Sequence, residues 1–94
     1  MSKNAEPVYR ERRSYAGGVV EILVWRVPAP VPPSDHLFKY RLVFVRDGKR
    51  VIGYDNERGK GDHRHLGKRQ MSYQFVDEAQ LLDDFWQDVK EASK

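Results

Sequence analysis

The sequence predicts an α+β fold: a twisted antiparallel β-sheet of about four to five strands with one C-terminal α-helix packed on one face. Three observations carry that prediction: two apolar, β-branched runs split by prolines, an Asp-Gly turn between alternating segments, and a final stretch with helical spacing. A chain of 94 residues has room for one small core, so 1–94 is read as a single domain. Within it, residues 1–7 are expected to be flexible, 57–70 to form a glycine-rich basic loop, and 77–92 to form the helix.

Val19 to Val27 (VVEILVWRV) is short, rich in β-branched and aromatic residues, and bounded by Gly17-Gly18 and Pro28. It reads as a strand that is apolar on both faces at its centre. The prolines of Pro28 to Pro33 cannot donate to a ladder and hold an extended connection. Leu37 to Arg46 alternates, with Phe38, Tyr40, Leu42 and Phe44 against charged Lys39 and Arg41. Asp47-Gly48 then suits a type I′ hairpin, because both central residues must take positive φ. Lys49 to Asn56 is the returning strand. With a two-residue loop, Arg46 faces Lys49, and counting outward pairs Phe44 with Val51, Leu42 with Gly53, Arg41 with Tyr54 and Tyr40 with Asp55. Direct partners share a face, so this register puts Asp55 at the margin of the apolar side.

Residues 57–70 (ERGKGDHRHLGKRQ) hold three glycines and one apolar residue, Leu66, and read as loop. Met71 to Val76 alternates again and suggests a further strand. Asp77 can cap a helix whose third position is Gln80, with Val76 and Leu81 placed for a hydrophobic staple. Leu82, Phe85, Trp86 and Val89 follow helical spacing and form the stripe that meets the sheet, leaving Asp83, Asp84, Asp88 and Glu91 mostly outward.

Charge is unevenly spread. Residues 46–70 carry eight basic and four acidic side chains, whereas residues 71–94 carry two basic and six acidic ones. Such a layout attracts phosphate to one region and repels it from another. A membrane-spanning helix is excluded, since one needs about 18 consecutive apolar residues and Glu21 interrupts the best run. The absence of cysteine excludes disulfides, thiolate ligands and a cysteine nucleophile. The first residues lack the apolar stretch of a secretory signal, so a cytoplasmic protein without contact to membranes is expected.

The residues able to do chemistry gather between Tyr54 and Arg69. Asp55, Asp62, His63 and His65 are acid–base candidates, and Arg58, Lys60, Arg64, Lys68 and Arg69 are cations on a loop delivered by a strand end. In extended backbone His63 and His65 point to one side with Arg64 opposite. A histidine can take a proton from a 2′-hydroxyl or return one to a leaving oxygen, while arginine and lysine stabilise charge on the phosphoryl group. These are the parts of a metal-independent ribonuclease with His63, His65 and Asp55 as catalytic residues. Arg58, Lys60, Arg64, Lys68 and Arg69 would bind the nucleic acid, with Tyr54 able to stack a base; Arg10, Arg12 and Arg13 extend the basic surface. A metal site built from His63, His65 and Asp62 or Asp55 is the weaker competitor, so no metal or cofactor is expected. Gly59-Lys60 does not make a phosphate loop, since Gly53 is one residue too far upstream and Gly61 stands where Ser or Thr should be. A non-catalytic module that binds RNA or a protein through the same loop is the alternative.

The stretch VVEILVWRVPAPVPPSDHLFKYRLVFVRDGKRVIGYDNERGKGDHRHLG, followed by a Phe-Val segment and the C-terminal helix, resembles the TumE family of small toxins from bacterial toxin–antitoxin pairs. The strand pair leading to Tyr54-Asp55-Asn56 and the downstream His63-X-His65-X-Gly67 carry the resemblance, which covers roughly residues 18–90. It implies growth inhibition held in check by a cognate antitoxin, often a DNA-binding protein of helix-turn-helix type. Family members are histidine-rich in this loop, whereas here lysine, arginine and glycine dilute it.

Overall fold

The computed structural model describes residues 5–94. Among these residues six strands follow one another in chain order, β1 (Glu6–Tyr15), β2 (Gly18–Arg26), β3 (Phe38–Arg46), β4 (Lys49–Asp55), β5 (His63–Leu66) and β6 (Arg69–Ser72), before helix α1 (Glu78–Ala92). Each strand pairs antiparallel with its predecessor, giving one sheet of order β1-β2-β3-β4-β5-β6. The fold class is the expected one, with more strands. Part of the stretch expected to be flexible, residues 1–4, lies outside the described residues, while Glu6 and Pro7 open β1.

Tight turns close the hairpins. Asp47 and Gly48 take φ 55° and 73°, the positive pair that a type I′ turn demands, and Ala16 and Gly17 do the same at 49° and 79°. The expected register of β3 and β4 holds for Arg46–Lys49 and Val45–Arg50 and fails from Phe44 onward. A bulge leaves Val51 without a direct partner, so Arg50 pairs with Val45 but Ile52 with Phe44, Tyr54 with Leu42 and Asp55 with Arg41. One extra residue exchanges the faces of everything downstream. Tyr54 therefore enters the core, and Asp55 leaves the apolar side for the opposite face.

The expected loop over 57–70 is corrected as well. His63–Leu66 and Arg69–Ser72 form a hairpin on the edge of β4, although their side chains are mostly polar, held by cross-strand hydrogen bonds, a turn at Gly67 (φ 63°) and the packing of Leu66 on the core. The strand expected over Met71 to Val76 ends at Ser72. Tyr73 instead dives under the helix, and Phe75 stacks on His36 with ring centroids 3.9 Å apart.

The core lies between one sheet face and α1. Val20, Ile22, Leu42, Phe44 and Tyr54 meet Leu81, Phe85 and Val89, all wholly buried. Each such side chain contributes about 1.5 to 3 kcal/mol on burial, which fixes which face the helix covers. Asp77 caps the helix, accepting from the Gln80 amide at 2.8 Å. The expected staple is absent, since Val76 stays 66% exposed above a buried Leu81. Asp84 and Asp88 do not face outward only: they accept from the Tyr73 and Tyr54 hydroxyls. Among the described residues no helix is long and apolar enough to cross a membrane.

Candidate functional site

Among the described residues no helix or second sheet covers the face of the sheet away from α1. Cross-strand partners share a face, so the register lays out its rows. Leu23, Arg41, Asp55, His63 and Ser72 form one, and Glu21, Val43, Gly53, His65 and Gln70 the next. Arg10 and Arg12 from β1 and Lys39 from β3 extend the same face. The catalytic candidates Asp55, His63 and His65 thus stand together on an open sheet surface, not on a loop.

Two polar knots hold this corner in place. Asn56, fully buried, accepts from the Tyr40 amide at 2.9 Å and donates to the Phe38 carbonyl at 2.7 Å, fixing the end of β4 against β3. At the other end of the connection Asp62 accepts from His36 Nε2 at 2.7 Å, from the Tyr40 hydroxyl at 2.6 Å and from Ser34. The Phe38 amide donates to His36 Nδ1, so the proton of that ring sits on Nε2 and points at Asp62. Burial alone pushes the Asp62 carboxyl up, but the hydrogen bonds from Ser34, Tyr40 and His36 outweigh it and hold the group below its ordinary range. Burial, then the bond to Asp62, pushes the Tyr40 phenol up, so it stays a donor. The Gly59 amide donates to the Pro32 carbonyl at 2.8 Å, tying the glycine-rich connection to the proline-rich segment.

Held between these knots, His63 is 5% exposed, with an acceptor oxygen close to each ring nitrogen. Nδ1 lies 2.9 Å from the Gly61 carbonyl, and Nε2 lies 2.7 Å from Asp55 Oδ1. The second contact is within ion-pair distance but off the line of the ring N–H, and buried Oδ1 has no aligned hydrogen bond among the described residues. His65 stands edge-on to His63, centroids 4.9 Å apart, and is partly exposed. Its pKa is lowered, first by burial and then by the Arg50 guanidinium and His63, with Asp55 opposing. Arg50 reaches it over Gly53: a methyl group at position 53 would come within 2.9 Å of Arg50 Cδ and 3.5 Å of His65 Cδ2. The ligand atoms that Asp55, His63 and His65 offer all lie within 4.8 Å of one another, so these three could hold a metal ion.

A family model described as Toxin TumE matches residues 3–93. The chain belongs to the TumE toxin family. The match is wider than the resemblance read from residues 18–90 and takes in β1 and the whole of α1. Membership makes this TumE-family chain a toxin-like component of a toxin–antitoxin system, with a cognate antitoxin as its counterpart. No curated protein and no solved structure matches it significantly.

The remaining expected site residues scatter. Tyr54 is wholly buried, its hydroxyl donating to Asp88, and is not available to stack a base. Arg64 is on the helix side, its guanidinium 5.9 Å from the Tyr54 ring centroid and its Nε 3.7 Å from Asp88, so it is turned away from the histidines. Arg58 and Lys60 are exposed in the β4–β5 connection, with Lys60 beside Glu57 at 3.7 Å. Lys68 sits in the β5–β6 turn past the far end of β5, and Arg69, as the partner of Leu66, belongs to the helix side. Besides Arg10, Arg12 and Lys39, the histidines' face carries Arg41, the direct partner of Asp55, and Arg50 beside His65, neither of these two among the sequence candidates. The charged odd positions of β3 and the glycine inside β4 were their signals; the bulge hid their meaning.

Proposed function

We propose that this toxin acts on single-stranded RNA in the cytoplasm and cleaves it without a metal ion, on the open face of its sheet. The observation that carries the reading is the placement of partly exposed His65 beside Arg50, one row from Arg41, with the Asp55–His63 pair beside it. His65 takes the proton of a 2′-hydroxyl. The 2′-oxygen attacks phosphorus, the 5′-oxygen departs and takes a proton from solvent, and a 2′,3′-cyclic phosphate remains. Arg41 and Arg50 stabilise the charge that grows on the phosphoryl oxygens. The sequence gives His63 and His65 equal shares in proton transfer, but the burial of His63 and the Gly61 carbonyl against its Nδ1 favour a positioning role for it, beside Asp55. The antitoxin would be a DNA-binding protein that covers this face.

The test is expression of wild type and His65→Ala from a tight promoter at matched soluble levels, with growth and total RNA followed together. Wild type should arrest growth and degrade RNA, and purified His65→Ala should lose about 100-fold or more in cleavage rate. A variant within a few-fold of wild type removes His65 from the chemistry. RNA binding that weakens with salt but never leads to cleavage would instead establish a binding module.

A further inference from the structure

We propose that Asp55, His63 and His65 bind one divalent transition-metal ion of the zinc class, and that occupancy takes His65 out of use. The argument starts at His63. Its Nδ1 faces a carbonyl oxygen, which can only accept, so the proton of the neutral ring is on Nδ1. Nε2 is then a lone pair, and it faces Asp55 Oδ1 at 2.7 Å. Two acceptors this close repel unless a cation joins them. A proton would do so along the N–H axis, but Oδ1 lies off that line and has no other aligned donor among the described residues. A metal ion beside the pair satisfies both atoms from the side, and His65, whose ligand atom lies within 4.8 Å of both, completes the set.

The donor chemistry narrows the ion. Two imidazoles and one carboxylate, without sulfur or a second carboxylate, suit zinc and its neighbours better than magnesium or calcium. Bonds of about 2.0 to 2.2 Å put tetrahedral ligand atoms roughly 3.3 Å apart. The three atoms here, spread up to 4.8 Å, reach that geometry by small side-chain movements. The Gly61 carbonyl on the far nitrogen of His63 is the outer contact that fixes the tautomer of ligating histidines. The fourth position would open onto the uncovered sheet face. Metal binding stands independently of the function proposed above; its inhibitory consequence rests on that reading, because a ligated His65 has no lone pair to give.

The experiment uses the full chain stripped with chelator and then titrated with zinc chloride, followed by calorimetry and thermal unfolding, with magnesium chloride as contrast. Wild type should take up one zinc per chain with an unfolding midpoint that climbs with zinc concentration, and magnesium should do neither. Asp55→Asn should weaken zinc by about tenfold or more, and His65→Ala should abolish the shift while keeping the metal-free midpoint within a few degrees of wild type. No zinc-dependent shift in wild type, or an equal shift in all three proteins, overturns the site. If zinc binds but RNA cleavage is unchanged or requires it, the masking role is overturned. If wild type never cleaves RNA, the proposed function fails, and the titration still decides the metal site.

Discussion

Two histidine–aspartate pairs in this protein have the same separation and opposite characters. His36 and Asp62 lie 2.7 Å apart, as do His63 and Asp55. In the first pair the tautomer is set by the Phe38 amide, and the carboxylate takes further bonds from Tyr40 and Ser34. In the second, Gly61 points the proton away from the carboxylate, and Asp55 Oδ1 has no aligned donor among the described residues. The separation of two groups says little about their role; the satisfaction of their remaining lone pairs says much more. The His36–Asp62 pair is a closed latch, and the His63–Asp55 pair is unfinished.

If that contrast is right, removing the latch should cost most. Asp62→Ala leaves three donors without their acceptor and should destabilise the fold by about 3 kcal/mol, read as a drop of about 12 °C or more in unfolding midpoint. The same carboxyl sets a pH dependence. Because its folded pKa lies below the ordinary value, its stabilisation is complete above the ordinary carboxylate range and fades as pH falls through the folded value. The stability gap between wild type and Asp62→Ala should therefore narrow below about pH 4, measured by urea unfolding with chelator present. An unchanged gap would place the latch elsewhere.

The next effect belongs to the open face. Arg41→Ala or Arg50→Ala should each weaken RNA binding about tenfold, the worth of one charge-assisted contact, with unfolding unaltered. Changing Lys68 should do far less, because it lies beyond the far end of β5. Equal losses at Arg41 and Lys68 would move the RNA site to the turn.

The mirror of the Asp62 experiment is Asp55→Asn in metal-free protein. Relieving the opposed lone pairs should offset the lost attraction, so stability should change by less than about 1 kcal/mol. A loss as large as that of Asp62→Ala would make both pairs latches. The subtlest test is Gly53→Ala. Its methyl group displaces the flexible Arg50 side chain from beside His65, and cleavage should fall by about two- to threefold, under 1 kcal/mol, while the fold stays intact. An unchanged rate would show that Arg50 need not lie across Gly53.

The sequence made the central hairpin, the capped helix and the Asp55, His63, His65 trio legible, because alternation, an Asp-Gly turn and helical spacing are local signals. It concealed whatever depended on pairing. β1 (EPVYRERRSY) buries almost nothing and exists through its bonds to β2, so no apolar period announces it. The hairpin of β5 and β6 is hidden because its positions are mostly polar and its strands are four residues long. The bulge at Val51 has no residue signature of its own, yet it decides that Tyr54 is core and that Asp55, with Arg41, is surface. The latch joins residues 26 positions apart in sequence, beyond any local pattern.

The strands follow one another through the sheet in the order of the chain. Every ladder can therefore close against a segment already present, three of them across two-residue turns whose closure costs little entropy. The exception is the apolar side of β2 to β4, which finds its cover only in the last element, α1. During synthesis the sheet can be laid down strand by strand while that side waits bare for the helix. The corner bearing the two histidines is stitched chiefly by residues 34–62 and is drawn up earlier, so the chemical surface of this toxin can take shape before its core is sealed.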